Sequence, residues 1–519
     1  MPVPLFLDIQ CTPRRYLGLR PPRVFFTGNA SMRDGTTPSE KYLVALARRA
    51  VLRLWCWPNP FHQRGSAEHG FAAKELCDLL VVFGQDIVIF SDKHVGFPNT
   101  GDLCLDWSRW YKRAIHAAAK QAVGARRWIA SHPARVFTDR SCERVIPISL
   151  PTDDVRVHLV VVAHGAAERC SAHHGGSGSL IISTFAIGDA HYEPLAGVRP
   201  FVIGHVFEGG PFVHVLDDFS LDTVLKHLDT APDFVQYLSA RKALLTQQPV
   251  SAAGEEELLA HYLRHHDGRQ HHFGLPPAPA HLSVLEGHWD NHISSAHFAA
   301  KKDADAPSYL WDKLIDAVSE SVLSGRHFFP APQSLNESEV VLRLLASENR
   351  VRRRSLASCL RVAIRRARRE PWAVRLEVPD PVQTDSVVYV FLAIRRDETS
   401  DEQTNREKRV QLLRGYCLVA KHKFPAARFV VGIATEDEAW HGARSEDLML
   451  LDGTKWTPED EAEARALHEK NGLLAVTRRT AIQSREYPVA DLQRRARRRR
   501  GRASCHCGSG KPYRRCCGH

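Results

Sequence analysis

The stretch that decides the fold is Lys74–Lys93, which reads KELCDLLVVFGQDIVIFSDK. Two apolar runs rich in β-formers, Leu79–Phe83 and Ile87–Phe90, flank the pair Gly84-Gln85. Gly-X is the residue order of a two-residue type II′ hairpin turn. The stretch therefore predicts a buried β-hairpin with a tight turn at Gly84.

The two ends of this hairpin carry polar side chains that packing alone does not explain. A two-residue turn places Asp78 directly opposite Ser91, and directly opposed residues project to one face with Cβ atoms roughly 5 Å apart. Lys93 follows Ser91 by two residues, so it shares that face. We expect an acid, a hydroxyl and an amine at one spot.

This pattern resembles the PD-(D/E)xK nuclease superfamily, in which an acid opens one strand and an acid-x-Lys follows on the next. Asp78 matches the first acid and Lys93 matches the lysine, whereas Ser91 stands where the second acid belongs. The resemblance implies phosphodiester hydrolysis, with carboxylates that hold Mg²⁺ and a lysine that positions or activates water.

Members of this superfamily often supply a further carboxylate from the preceding helix. Thr37-Pro38-Ser39-Glu40 has the residues of a helix start, which makes Glu40 the first candidate for that carboxylate. Glu75 is the second candidate. The resemblance covers about residues 30–135 and implies a restriction-endonuclease-like α/β/α domain.

A predicted helix over Trp110–Trp128 follows the hairpin. It carries Lys112, Lys120 and Gln121, in the region where relatives place a substrate-contacting Gln or Lys. We expect this helix to complete the site.

Length, composition and net charge indicate the class of protein and the kind of partner to expect. Its 519 residues predict several domains, and 44% hydrophobic with 25% charged residues is ordinary for a globular protein. No run reaches the roughly 18 apolar residues of a membrane helix, and no secretion signal is evident, so we expect a cytoplasmic protein without a membrane partner. A net charge of +11 favours acidic partners, nucleic acid first.

The middle region, 150–345, reads as β-rich and then helical. Its section 264–300 holds a crowd of histidines without any metal-ligand frame of known spacing. A polar loop region is the expectation there, and metal binding is the alternative.

The next region, 346–490, combines a basic helix with a second α/β domain, in which a strand–helix–strand order predicts a parallel crossover. Arg350–Arg369 contains nine arginines and no acid, and such a run repels itself without an anionic partner. We expect this cluster to bind nucleic-acid phosphate. The proposed contacts are Arg352, Arg353, Arg354, Arg365, Arg366, Arg368 and Arg369.

Residues 491–519 contain an Arg-rich arm and the sequence SCHCGSGKPYRRCCGH. This ending resembles the SEC-C motif, the zinc knuckle found at the end of the secretion ATPase SecA. Cys505, Cys507, Cys516 and Cys517 match its ligand positions, and four thiolates form a closed, structural Zn²⁺ site. The knuckle is also a candidate for binding a protein partner.

Two functions remain open from the sequence. The first is a Mg²⁺-dependent nuclease, for which the resemblance suggests a setting in prokaryotic defence or nucleic-acid turnover. The second is a non-catalytic protein that binds nucleic acid, ribosome or protein on a degenerate nuclease scaffold. The difference depends on whether Glu40 or Glu75 reaches the face that carries Asp78.

Overall fold

The computed structural model describes residues 5–9, 34–64, 72–193, 197–267, 270–274, 281–323, 335–379, 381–383, 385–437, 446–481 and 485–488. Within these ranges the chain is a mixed α/β protein with several sheets. No helix of the described residues is long and apolar enough to cross a membrane.

The elements are given in chain order. The first part contains β1 Leu5–Ile9, α1 Pro38–Val51, β2 Cys56–Pro58, β3 Phe61–Arg64, β4 Ala72–Glu75, β5 Leu79–Phe83, β6 Asp86–His94, α2 Leu103–Tyr111, α3 Ala117–Ser131 and β7 Arg156–His164. The middle contains α4 Ala167–His174, β8 Ile181–Ile187, β9 Val202–His205, β10 Val213–Asp217, α5 Asp218–His227, α6 Ala231–Gln247, β11 Val250–Ala252, α7 Glu255–Arg264, β12 Leu282–Val284, α8 His288–Ile293, α9 Ala296–Asp305, α10 Tyr309–Leu323 and α11 Leu335–Ala346. The last part contains α12 Arg350–Ala367, β13 Trp372–Val378, β14 Val387–Ile394, α13 Glu402–Lys423, β15 Phe429–Glu436, β16 Asp447–Asp452, α14 Pro458–Glu469 and β17 Thr477–Ala481.

The hairpin forms the centre of a five-stranded sheet with the order β10-β7-β6-β5-β2. Strands β5 and β6 pair antiparallel with Phe83 opposite Asp86, which is the register predicted from the turn. Gly84 has φ +59°, a conformation that glycine adopts without steric cost and that this turn requires. Strands β7 and β10 then add in parallel to β6.

Helices cover both faces of this sheet. Helix α3 packs on β6 and β7, whereas α1 packs on β2 and β5 and α5 packs on β7 and β10. Helices α1 and α5 also contact each other. The strands are therefore buried on both faces, which explains why β5 reads as an unbroken apolar run.

The middle part builds a sheet with the order β12-β11-β8-β9, and the last part together with β1 builds a sheet with the order β16-β15-β14-β13-β1-β17. Strands β14 and β15 are parallel and joined by α13, so the predicted crossover is present. Side chains of β14 alternate between two cores. Tyr389 and Phe391 join the core shared with the first sheet, and Val388 and Val390 join a core under α13.

The structure departs from the sequence expectation in two places. The sequence predicts a polar loop over residues 264–300, but these residues include β12, α8 and the first half of α9. The predicted helix over 110–128 is divided, because a π-helical turn over Lys112–His116 joins α2 to α3. A π turn inserts one residue and rotates the side chains that follow it.

Candidate active site

Glu40 lies in the first turn of α1, where the backbone holds it firmly. Thr37 caps the helix by accepting a hydrogen bond from the Glu40 N–H at 3.2 Å, and Glu40 Oε2 accepts from the Thr36 N–H at 2.8 Å. Burial raises the pKa of Glu40, but hydrogen bonds from Thr36, Asn59 and Thr37 outweigh it and lower the pKa to about 2. The carboxylate is therefore ionised at any physiological pH.

Asn59 connects the two candidate carboxylates. Its side-chain Nδ2 donates to Glu40 Oε2 at 3.0 Å and to Glu75 Oε1 at 3.1 Å. Its own backbone N–H donates to the carbonyl of Asp78 at 3.0 Å. Strands β3 and β4 thus return the chain to Glu75, and Asn59 links Glu75 to Glu40 of α1 beside Asp78.

Asp78 and Lys93 meet at the end of the hairpin, as predicted, and Ser91 lies on β6 two residues before Lys93. Lys93 Nζ lies 3.8 Å from Asp78 Oδ2, and the same oxygen accepts from the Asp92 N–H at 2.6 Å. The Asp78 and Ser91 side chains are buried, whereas the Lys93 side chain is 32% exposed. Lys93 is therefore the member of this group that reaches solvent.

Asp78 is the electrostatic centre of the site. Burial is the largest cause that raises its pKa, and the negative charges of Glu75 and Glu40 also raise it. Lys93 and the Asp92 N–H lower it, and the net pKa is about 7. A carboxyl group that titrates near neutrality beside two other acids and a lysine is typical of functional sites. The raised pKa also reflects the negative charges of Glu75 and Glu40 close to Asp78, and a bound cation would neutralise part of this charge.

Of the three residues singled out, Lys112 lies in the π turn, whereas Lys120 and Gln121 lie on α3, and Gln121 is the one with a described hydrogen bond to the site. Its Oε1 accepts from Ser91 Oγ at 3.5 Å. Lys112 instead pairs with Glu193 at 3.4 Å and lies over the Tyr192 ring, and Lys120 is exposed.

The donor set is made of oxygens, which suits a hard cation such as Mg²⁺. Glu40, Glu75 and Asp78 would hold the ion, and Ser91 would contribute at most a neutral oxygen. The oxygen atoms of these three carboxylates do not all lie within 4.8 Å of one another, however, as the donor atoms of a closed metal site would. Within the described ranges, the one set of three ligating groups whose donor atoms all lie within 4.8 Å of one another is His266, His271 and Glu486.

The opposite face of the hairpin carries a second cluster that sequence reasoning missed. His164 Nε2 lies 2.7 Å from Asp92 Oδ1, and its Nδ1 lies 2.5 Å from Asp218 Oδ1 at the start of α5. Burial lowers the pKa of His164, but the two carboxylates prevail and raise it to about 9. The charged imidazole ties β6, β7 and α5 together.

The structure corrects part of the predicted nucleic-acid interface. Arg352 pairs with Glu348 and with the buried Glu377, and Arg354 pairs with Asp305 at 2.6 Å. Arg353 is fully buried against Asp312 at 2.6 Å and cannot reach a phosphate. Glu348 lies two residues before the helix, but Asp305, Asp312 and Glu377 come from other elements, so the local sequence could not show those three acids.

The other end of α12 is different, because its basic side chains face outward. Arg361, Arg365, Arg368 and Arg369 are exposed, and Arg366 is half-buried. The predicted contacts Arg365, Arg368 and Arg369 are thus exposed to solvent, as a phosphate interface requires, and the predicted contact Arg366 is less exposed. The predicted zinc ligands Cys505, Cys507, Cys516 and Cys517 lie outside the described residues.

Comparisons of this chain with protein-family models, with curated proteins and with solved structures found no significant match.

Proposed function

We propose that this protein is a Mg²⁺-dependent nuclease whose active site is centred on Asp78. The observation that carries the proposal is the position of Asp78, 3.8 Å from Lys93 and in the electrostatic field of Glu75 and Glu40. An acid and a lysine from adjacent hairpin strands, supported by carboxylates at the same sheet end, are what phosphodiester hydrolysis with a metal requires.

The order of elements supports the proposal. A helix that carries Glu40 precedes the hairpin, and a helix that carries Gln121 crosses to the parallel strand β7. This order is similar to the core of the PD-(D/E)xK superfamily, and we propose a restriction-endonuclease-like fold for the first domain on that basis. The setting in prokaryotic defence is part of the same proposal and rests on the resemblance alone.

Each residue has a distinct role in the proposed reaction. Hydrolysis joins a water oxygen to phosphorus and breaks one P–O ester bond, while the water loses a proton and the leaving oxygen gains one. Mg²⁺, when bound, supplies charge stabilisation. Lys93 orients the attacking water or the phosphate oxygen, and Asn59 fixes the Glu40 and Glu75 carboxylates.

The neutral side chain of Ser91 limits the rate of cleavage that we expect. Its hydroxyl is neutral and buried, so it contributes less charge to a cation than the usual acid would. The carboxylates of Glu40 and Glu75 must then replace that acid from outside the hairpin. We expect slow cleavage that increases when an acid is restored at position 91.

A cleavage assay on single- and double-stranded DNA and RNA with Mg²⁺ or Mn²⁺ tests the proposal. Asp78→Asn and Lys93→Ala should each lower the rate at least about 100-fold, because each removes an interaction worth several kcal/mol in the transition state. Lys120→Ala is the matched control, since this exposed lysine lies on α3 outside the site.

Two results bear on the outcome. Ser91→Asp or Ser91→Glu should keep or raise the rate, and the shorter acid guards against misfolding at a buried position. If the wild type cleaves none of the four substrates and neither acid at position 91 restores cleavage, the nuclease proposal is wrong.

The site also predicts a pH dependence. Because the pKa of Asp78 is raised to about 7, the carboxyl is protonated below that pH and ionised above it. Mg²⁺ affinity, measured by titration calorimetry, should therefore fall as the pH drops from 8 to about 6. Affinity that is unchanged over this range would exclude Asp78 as a ligand.

The second candidate function is nucleic-acid binding without cleavage. The observation that favours it is the exposed arginine surface at the end of α12, which stands apart from the Asp78 site. This function predicts binding that survives Asp78→Asn and that falls steeply with salt.

A further inference from the structure

Three possible metal ligands converge far from the Asp78 site. His266 and His271 lie opposite each other in an antiparallel bridge that follows α7. Glu486 comes from the segment 485–488. One donor atom from each of these three residues lies within 4.8 Å of the other two. Two imidazoles and one carboxylate form a ligand set typical of Zn²⁺ and other first-row transition ions.

The surroundings orient two of these ligands. His271 Nδ1 lies 3.3 Å from the carbonyl of His265, which leaves Nε2 facing Glu486 Oε2 at 2.8 Å. A backbone carbonyl on the far ring nitrogen is the usual way in which proteins position a metal-bound histidine. On Glu486, Lys301 Nζ lies 3.7 Å from Oε1, so Oε2 is the oxygen directed at the histidines.

Charge and burial also suit a cation here. The side chains of His271 and Glu486 are each 12% exposed. Lys301, the nearby cation, is neutralised by Asp305 at 2.8 Å. His292 is buried beside the cluster, and its Nε2 has no hydrogen-bond partner among the described residues.

Hydrogen bonds from Arg354 and Tyr487 also hold the segment that carries Glu486, and the Tyr487 ring lies close to those of His292 and His297. Arg354 donates to the carbonyls of Arg485 at 2.9 Å and Glu486 at 3.1 Å, and Tyr487 donates to the Leu263 carbonyl at 3.4 Å. A metal shared between Glu486 and the two histidines would fasten this segment to the turn after α7. In the sequence, the same segment precedes the basic run Arg494–Arg502.

We propose that His266, His271 and Glu486 bind a Zn²⁺ ion, with water as the fourth ligand. The ion replaces the proton shared by His271 and Glu486 and fixes the start of the basic C-terminal arm. This site is independent of the proposed nuclease activity and of the four-cysteine site predicted for the tail.

The test uses the full-length chain with Cys505, Cys507, Cys516 and Cys517 changed to Ser, so that thiolates in the tail bind no zinc. Metal-free protein is titrated with Zn²⁺ against a chromophoric chelator. We expect one equivalent to bind, and His271→Ala or Glu486→Gln to weaken binding by more than about 100-fold. His281→Ala is the control, since this exposed histidine contacts only Ser251 among the described hydrogen bonds.

Two further measurements make the result specific. Co²⁺ in place of Zn²⁺ should give visible d–d bands without the charge-transfer band of thiolate ligands. Zn²⁺ should slow tryptic cleavage after Arg485, and Glu486→Gln should abolish that protection while circular dichroism confirms folding. If the four-serine protein binds no Zn²⁺, or binds it equally after His271→Ala and Glu486→Gln, the cluster is an ion pair and the proposal is wrong.

Discussion

Asp312 on α10 neutralises two buried arginines of α12, and its removal should be costly. Asp312 Oδ2 accepts from Arg350 at 2.7 Å, and Oδ1 accepts from Arg353 at 2.6 Å. After Asp312→Ala, Arg350 keeps Asp229 at 3.0 Å, but Arg353 keeps only the carbonyls of Glu348 and Ala346 among its described hydrogen bonds. A buried charge left without its partner costs about 3–5 kcal/mol.

Urea denaturation measures this loss. Trp311, the neighbour of Asp312, is fully buried, so tryptophan fluorescence reports on this part of the core. With a slope of about 3 kcal/mol per molar urea, a loss of about 4 kcal/mol lowers the midpoint by more than about 1 M. Arg365→Ala removes an exposed arginine of the same helix and should change stability by less than about 0.5 kcal/mol.

The double variant Asp312→Leu with Arg353→Met separates charge from packing. Replacing both members of a buried pair by apolar residues is often neutral, so this protein should recover most of the lost stability. If Asp312→Ala lowers the free energy of unfolding by less than about 1 kcal/mol, Arg353 is not stabilised in the way inferred. Its place in the nucleic-acid interface would then need reconsideration.

Three further predictions concern other parts of the chain. The pKa of His164 is raised from 6.5 to about 9 in the folded protein, so the charged imidazole stabilises the fold by roughly 3 kcal/mol. This stabilisation is complete below pH 6.5 and is lost as the pH rises through 9. His164→Gln should remove this pH dependence of the thermal unfolding temperature. Arg365→Glu with Arg368→Glu should weaken nucleic-acid binding in a filter-binding assay. The slope of the logarithm of the binding constant against the logarithm of the salt concentration should become smaller by about 2, while the free energy of unfolding stays unchanged. Cys505→Ser with Cys516→Ser should remove about one equivalent of zinc by elemental analysis, and an unchanged zinc content would contradict the predicted knuckle.

The sequence predicted the elements whose signal is local. The hairpin register followed from Gly84 and from the apolar runs on either side of it, because a two-residue turn between two strands allows one pairing of their residues. Helix α12 and the parallel crossover that joins β14 to β15 were predicted for the same reason. Backbone geometry and side-chain period are properties of neighbouring residues, so they can be read without the fold.

Tertiary structure decided which charged residues are available and which are internal. Arg353 and Arg365 look alike in the sequence. In the fold, Arg353 is buried and pairs with Asp312, 41 residues away, whereas Arg365 is exposed. Asn59 joins Glu40 to Glu75 across 19 and 16 residues, and a turn sequence around Asn59 predicts no such role. Burial and charge pairing depend on residues that meet only in the folded chain, which is why the sequence suggested the hairpin chemistry of Asp78 but not its surroundings.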